Sequence, residues 1–184
     1  MNIIGRVLVI ALMLGLVPSL ALAQDASRDP AQTMRDLRVS FLSSSAVSLG
    51  FSPTREFPRV YGVAMDWPVS DTTATIVSAM DGTASLYTTA TFGIIGGGEH
   101  EAIRAAARRF VAAADAYHDQ ARPTSSYPYP AKDKVRFYLR TFHDVRVIET
   151  DAASAYSPSG PYSLFFRAGQ AVLTELRKVV EAKR

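Results

Sequence analysis

Two kinds of hydrophobic spacing occur along this chain, and together they predict both helices and strands. Apolar residues recur every three to four positions in three segments, about 30–46, 99–121 and 161–182, which predicts amphipathic helices. From Val60 to Trp67 the larger apolar side chains occupy every second position instead, which predicts a strand. The chain therefore combines helices with a sheet.

The first two predicted helices carry recognisable start signals. Asp29-Pro30 supplies an N-cap and a first-turn proline for the first helix. Residues 38–42 of that segment also alternate, so a strand is the competing interpretation there. At the second helix, Glu99 and Glu101 place negative charge in the first turn, which the helix dipole favours.

Asp81-Gly82 marks a hairpin between the β-rich runs on either side of it. This dipeptide favours the positive φ angles of a two-residue type I′ turn. Such a turn would place Val77 opposite Leu86, on one side of the hairpin. The face predicted to enter the core carries Val77, Ala79, Ala84 and Leu86.

A second hairpin is predicted around His143-Asp144, between strands at about 135–142 and 145–150. Its hydrophobic pattern directs Leu139 into the core. The side chains predicted to point outward are Arg136, Arg140 and Glu149.

The predicted elements follow the order α-β-β-β-α-β-β-α, which indicates the α+β class. Hairpin-joined strands form antiparallel sheets, so we expect one antiparallel sheet of about five strands with three helices on one face or on both. Residues 24–184 suit a single domain of this class. The element order is similar to that of small sensory and scaffold domains of the profilin and roadblock type. A likeness of order implies no site or activity, and none is transferred.

Residues 1–23 are typical of a cleavable secretory signal. Arg6 precedes the apolar run Val7–Val17, and the small-residue stretch Ala21–Ala23 precedes Gln24. The apolar run is well short of the roughly 20 residues that span a bilayer. We therefore expect export to the periplasm or secretion, without a stable membrane anchor.

Composition and charge narrow the range of partners. The chain contains no cysteine, so an exported domain would depend on its core without disulfides. Because Arg6 belongs to the leader, the remaining Lys and Arg residues exceed the 17 Asp and Glu residues by only two. The basic cluster Arg104, Arg108 and Arg109 is interspersed with acidic residues, so we do not expect a nucleic-acid partner.

Gly96-Gly97-Gly98 leads into the second predicted helix, where free backbone amides could bind an anion. The segment lacks the Lys-Ser/Thr of a Walker loop and the spacing of a dinucleotide-binding fingerprint. Glu99 and Glu101 would also repel a phosphate. Tight packing of the turn is therefore the favoured interpretation, and a ligand at the glycines is the alternative.

The histidines do not predict a metal site. His100 and His118 are eighteen residues apart on one predicted helix, too far to share an ion, and His143 lies at a hairpin tip. The chain also lacks a cysteine nucleophile and the serine motifs of covalent catalysis. An acid/base site would have to form around Glu99-His100.

Residues 122–133 form a predicted loop rich in proline and tyrosine. Loops of this length are often functional, and Tyr127 and Tyr129 suit the recognition of a partner surface or an extended ligand. Packing of the loop over the sheet is the competing interpretation.

These patterns favour a non-catalytic binding or interaction module for an unknown protein or small-molecule ligand, without a cofactor or a metal. The candidate ligand-binding residues are Gly96, Gly97, Gly98, His100, Tyr127 and Tyr129. The alternative is a small periplasmic hydrolase or isomerase with acid/base residues around Glu99-His100. A homodimer formed through a free sheet edge or a helix face is compatible with either function.

Overall fold

One antiparallel sheet of seven strands forms the centre of the computed structural model, which describes residues 29–182. The strands are β1 (Val60–Val69), β2 (Thr72–Ala79), β3 (Ala84–Thr88), β4 (Gly93–Ile94), β5 (Arg122–Pro123), β6 (Lys134–Thr141) and β7 (Val145–Asp151). Their order across the sheet is β4-β3-β2-β1-β6-β7-β5. The predicted leader at residues 1–23 lies outside the described residues.

Helices accompany the sheet, and the α+β class with an antiparallel sheet is confirmed. They are α1 (Pro30–Ser43), α2 (Glu101–Ala116), α3 (Ala152–Tyr156) and α4 (Ser163–Glu181). The predicted N-cap is present, because Asp29 Oδ1 accepts a hydrogen bond of 3.0 Å from the Ala31 amide. Across residues 29–182, no helix is both long enough and apolar enough to cross a membrane.

The expected counts of about five strands and three helices are too low. The additional strands, β4 and β5, have two residues each and lie at the two edges of the sheet. The additional helix, α3, has five residues. Elements this short do not establish a hydrophobic period, so they form through tertiary pairing that the local pattern does not reveal.

Helices cover both faces of the sheet. On one face, α2 and α4 bury a core that includes Met65, Ile76, Phe110, Phe137 and Phe165. On the other face, α1 buries a smaller cluster that includes Leu42, Ala64, Val77, Tyr87 and Tyr138. The central strand β1 is therefore buried along most of its length, on both sides.

The first hairpin closes with a three-residue loop, Met80 to Gly82, instead of the predicted two-residue turn. The Ala79 amide donates to the Thr83 carbonyl and the Gly82 amide donates to the Ala79 carbonyl, both at 2.9 Å. Gly82 has a φ of 92°, which the last position of such a loop requires and which glycine adopts without strain.

The longer loop shifts the register of the first hairpin by one residue. Val77 lies opposite Ser85, and Ile76 lies opposite Leu86. Val77 therefore faces α1, whereas Leu86 faces α2 and α4, and both are buried. The prediction that Val77 and Leu86 share one core face is wrong, because a slip of one residue reverses the faces of a strand.

The second hairpin confirms one part of its prediction and corrects another. Leu139 is buried in the core beneath α2 and α4, as predicted. Arg140 was expected to point to solvent but is only 4 % exposed. The α1 face that carries Arg140 is covered in this region by α1 and by the loop that contains Tyr127.

A buried ion pair fixes α1 to the sheet. Arg38 of α1 is 2 % exposed and Asp66 of β1 is fully buried, and Arg38 Nε lies 3.1 Å from Asp66 Oδ1. Thr75 Oγ1 donates to the same carboxylate at 2.5 Å, and Arg38 Nη1 donates to the Tyr127 carbonyl at 2.8 Å. The Tyr129 ring covers the guanidinium at 4.2 Å.

The charge of Arg38 is compensated within the fold. Burial by itself lowers the pKa of a guanidinium, but the hydrogen bonds and the charge of Asp66 outweigh burial and raise the pKa of Arg38. The pair is neutral as a unit, and each ion supplies the partner that the other needs.

Replacing Arg38 with methionine should lower the free energy of unfolding by about 3–5 kcal/mol, because the Asp66 carboxylate would remain buried without its partner. Urea denaturation followed by circular dichroism measures the loss. Arg35→Met on the same helix is the control. Arg35 is partly exposed and contacts Asp29 at the surface, so its loss should stay below about 1 kcal/mol. Equal losses in the two variants would contradict this account of α1.

Candidate functional site

The glycine turn before α2 is a closely packed corner. A Cβ atom on Gly97 would lie 2.6 Å from Leu176 Cδ2 and 3.0 Å from Ile103 Cγ2, which leaves no room for a larger residue. Gly96 has a φ of 77°, in the left-handed region that favours glycine. Gly97 therefore allows the turn to pack closely against α2 and α4, in agreement with the interpretation that the sequence favours.

Three polar groups of this turn form hydrogen bonds with neighbouring side chains. Arg104 Nη1 donates to the Gly98 carbonyl at 3.0 Å and to the Glu99 carbonyl at 3.4 Å. The Gly96 amide donates to Ser85 Oγ at 3.3 Å. These contacts tie the turn to α2 and to β3.

His100 directly follows the glycine turn and borders a different cavity from Tyr127. It is exposed at the start of α2 and borders a shallow, mainly apolar groove of about 420 Å³ between α2 and the end of α4. Glu101 and the ion pair between Lys178 and Glu175 border the same groove. Glu99 is exposed and is not part of the lining, so the groove does not bring Glu99 and His100 together.

The Pro/Tyr loop, residues 124–133 between β5 and β6, is anchored to the α1 face of the sheet. The Pro128 carbonyl accepts hydrogen bonds from Tyr138 Oη at 2.6 Å and from Arg136 Nη1 at 2.9 Å. Arg136 Nη1 also donates to the Tyr129 carbonyl at 3.2 Å. The loop therefore packs over the sheet at several points.

The two candidate tyrosines of this loop have different surroundings. Tyr129 stacks over the guanidinium of Arg38 and supports the buried ion pair. Tyr127 packs edge-on against Tyr138, with ring centres 5.8 Å apart, and also borders an open cleft. Only Tyr127 is placed to contact a ligand in that cleft.

The cleft has a volume of about 320 Å³ and lies where the Pro/Tyr loop meets the tip of the β6–β7 hairpin and the segment that follows α1. Its most deeply buried large side chains are Tyr61, 1 % exposed, and Arg140, 4 % exposed. Tyr127 and Phe142 add aromatic surface. The serine and threonine hydroxyl groups of the lining belong to Ser45, Thr124, Ser125 and Thr141.

Arg140 is a buried cation without a carboxylate partner among residues 29–182. Its Nε donates to Tyr61 Oη at 2.9 Å, and its Nη2 donates to the same oxygen. The ion pairs of this region join Asp66 to Arg38 and Asp144 to Arg146, and do not include Arg140. Burial lowers the pKa of Arg140, and the neighbouring tyrosines offset only part of this effect.

A β-bulge directs Tyr61 towards Arg140. The register of β1 against β6 shifts between Val60 and Gly62, so Tyr61 is the additional residue on β1. Its hydroxyl donates to the Ser44 carbonyl at 2.9 Å and accepts from Arg140. Burial raises the pKa of Tyr61 although Arg140 opposes the effect, so the phenol stays neutral and does not balance the guanidinium charge.

Thr141 orders the hairpin tip beside the cleft. Its Oγ1 accepts hydrogen bonds from the Asp144 amide at 2.9 Å and from the His143 amide at 3.2 Å. The Asp144 carboxylate lies 2.6 Å from Thr141 Oγ1 and 3.3 Å from Arg146 Nε. Arg146 therefore balances Asp144, and the charge of Arg140 remains uncompensated.

Tyr127 is the one residue of this cleft that the sequence predicts as a site residue, and the sequence does not predict Arg140 or Tyr61. No motif marks either of them. The available signal is the alternation of Arg136, Tyr138 and Arg140 on one face of β6, because a tyrosine between two arginines indicates a face that is only partly solvated.

Neither a metal site nor a similar protein indicates a function for the described residues. Within the part of the chain that the structure describes, no group of three or more potential ligand side chains is placed to hold a metal ion. Comparisons with models of protein families, with curated proteins and with solved structures gave no significant match. The function proposed below therefore rests on the geometry of the cleft.

Substitution of Gly97 by alanine should lower the free energy of unfolding by about 1–3 kcal/mol, because the added methyl group overlaps Leu176 and Ile103. Thermal unfolding measured by calorimetry reports the change. Gly98→Ala is the matched control, since a Cβ atom there meets Thr83 at an ordinary distance of 3.5 Å. Wild-type stability in Gly97→Ala would show that the turn is not the packed corner described.

Proposed function

We propose that this protein is a non-catalytic binding module, exported to the periplasm or secreted, that holds an anionic ligand in the cleft at Arg140. The observation that carries the proposal is a buried guanidinium that borders an open cleft and has no carboxylate partner in the described chain. Export is proposed from the composition of residues 1–23.

An anionic ligand would offset the free-energy penalty of burying the Arg140 charge in the folded protein. Removing a charge from water without a counter-ion carries a penalty of several kcal/mol in real proteins. An anion at Arg140 would form charge-assisted hydrogen bonds, which are about twice as strong as bonds between neutral groups. Binding at this position is therefore favoured by the fold itself.

Hydrogen bonds hold the walls of the cleft in place. The Tyr127 carbonyl accepts from Arg38, the Tyr61 hydroxyl donates to the Ser44 carbonyl, and Thr141 Oγ1 accepts two amides of the hairpin tip. Groups that are ordered before the ligand arrives reduce the entropy lost on binding. This rigidity supports a binding role.

The polar groups of the cleft suit binding better than acid/base chemistry. A guanidinium stays protonated near neutral pH and cannot act as a general base. The Asp144 carboxylate is engaged by Thr141 and Arg146, and His143 is exposed at the hairpin tip. The acid/base alternative at Glu99-His100 has weaker support, because both residues are exposed and only His100 borders a groove.

Small anions should stabilise the protein through Arg140. A thermal-shift screen of acetate, phenylacetate, sulfate and phosphate at low ionic strength should contain at least one anion that raises the Tm. At ten times its Kd, a ligand adds about 1.4 kcal/mol of stability, which corresponds to about 3–6 °C for a domain of this size. The shift should disappear in Arg140→Met.

Arg167→Met is the matched control for this screen, because it removes the same charge from an exposed position on α4, on the opposite face of the sheet. It should keep the full shift. Circular dichroism spectra check that both variants fold. An unchanged wild-type Tm across the panel, or an equal shift in Arg140→Met, would reject the proposed function.

A further inference from the structure

The hydrogen bonds of Arg140 leave one edge of its guanidinium unused. Tyr61 Oη accepts from both Nε and Nη2, which occupies the other edge. Within the described chain Nη1 of Arg140 has no hydrogen-bond partner, and it keeps some surface that is accessible to solvent. The remaining N–H groups of Nη1 and Nη2 form a planar fork that matches two oxygens of a planar anion.

The charge of the cleft suits a single negative charge on the ligand. Arg140, Asp144 and His143 are its charged or titratable residues apart from the tyrosines, and Asp144 is already paired with Arg146. A phosphate group carries about −1.5 to −2 at neutral pH. Such a group would exceed the one uncompensated positive charge and would lie near the Asp144 carboxylate, whereas a monoanion balances Arg140.

The walls of the cleft suit an apolar body attached to that anion. Tyr127 and Phe142 present aromatic rings, and Ala46 and Val145 add aliphatic surface. Aromatic rings in such a setting favour offset or edge-on contact with another ring. A volume of about 320 Å³ lies at the small end of the range for ligand pockets.

We infer that the ligand is a monocarboxylate with an apolar or aromatic body, whose two oxygens bind the free fork of Arg140 while its body lies between Tyr127 and Phe142. This inference rests on the proposed function. The same chemistry is present in a free organic acid and in the C-terminal carboxylate of a polypeptide that ends in an apolar residue.

Isothermal titration calorimetry on the folded protein tests the inference with phenylacetate, phenylacetamide and inorganic phosphate. Phenylacetate should bind more than about tenfold more tightly than phenylacetamide, which has the same ring but no charge. It should also bind more tightly than phosphate. Arg140→Lys keeps the charge but lacks the fork, so it should weaken phenylacetate binding by about tenfold or more, while Arg167→Lys should not.

A tetrapeptide that ends in phenylalanine, with its C-terminus free or amidated, distinguishes the two possible sources of the carboxylate, a free organic acid and a polypeptide C-terminus. Preference for the free-acid peptide over phenylacetate identifies a polypeptide C-terminus, and the reverse preference identifies a small organic acid. Both results support a carboxylate ligand. If Arg140→Lys fails to fold, the comparison of phenylacetate with phenylacetamide on the wild-type protein still decides whether the site prefers a carboxylate.

Two outcomes overturn the inference and separate it from the proposed function. If phosphate binds in an Arg140-dependent way and phenylacetate binds no better than phenylacetamide, the carboxylate is wrong but the anion site stands. If none of the anions or peptides binds, the inference and the proposed function both fail.

Discussion

A guanidinium that is withdrawn from water needs a counter-charge, and only one of the two buried arginines at the α1 face of this sheet has one within the described chain. Arg38 is matched by the carboxylate of Asp66, which makes the pair neutral and fixes α1 to β1. Arg140, on the same face, is matched by the neutral hydroxyl of Tyr61 alone among its described neighbours. The charge of Arg38 is therefore balanced within the fold, whereas the charge of Arg140 is not. The unbalanced charge lies at the cleft.

The positions of the two arginines are connected by the Pro/Tyr loop. The Tyr127 carbonyl of this loop accepts a hydrogen bond from Arg38. The Tyr127 ring borders the cleft at Arg140. Tyr129 covers Arg38 directly. The ion pair thus stabilises the fold and also holds one wall of the proposed ligand site, because the same loop takes part in both.

Local patterns predicted much of the fold, and they failed where long-range contacts decide the structure. The helix around Phe110 and the strand from Val60 follow the hydrophobic period, so their class was correct. The register around Gly82 differs because a three-residue loop replaced a two-residue turn, and both loop types accept Asp-Gly. Arg140 was missed because its environment depends on Tyr61, 79 residues away in sequence. No local sequence pattern indicates whether an arginine in a strand will lie next to a carboxylate.

The most direct test of this account is the free energy of unfolding of Arg140→Met, measured by urea denaturation in buffer without an added carboxylate or phosphate. Methionine removes an uncompensated buried charge and keeps an apolar chain, so the account predicts a stability equal to or above that of the wild type. A loss of about 3–5 kcal/mol, the size expected when one member of a buried ion pair is removed, would contradict it, because Arg140 would then serve the fold and not a ligand.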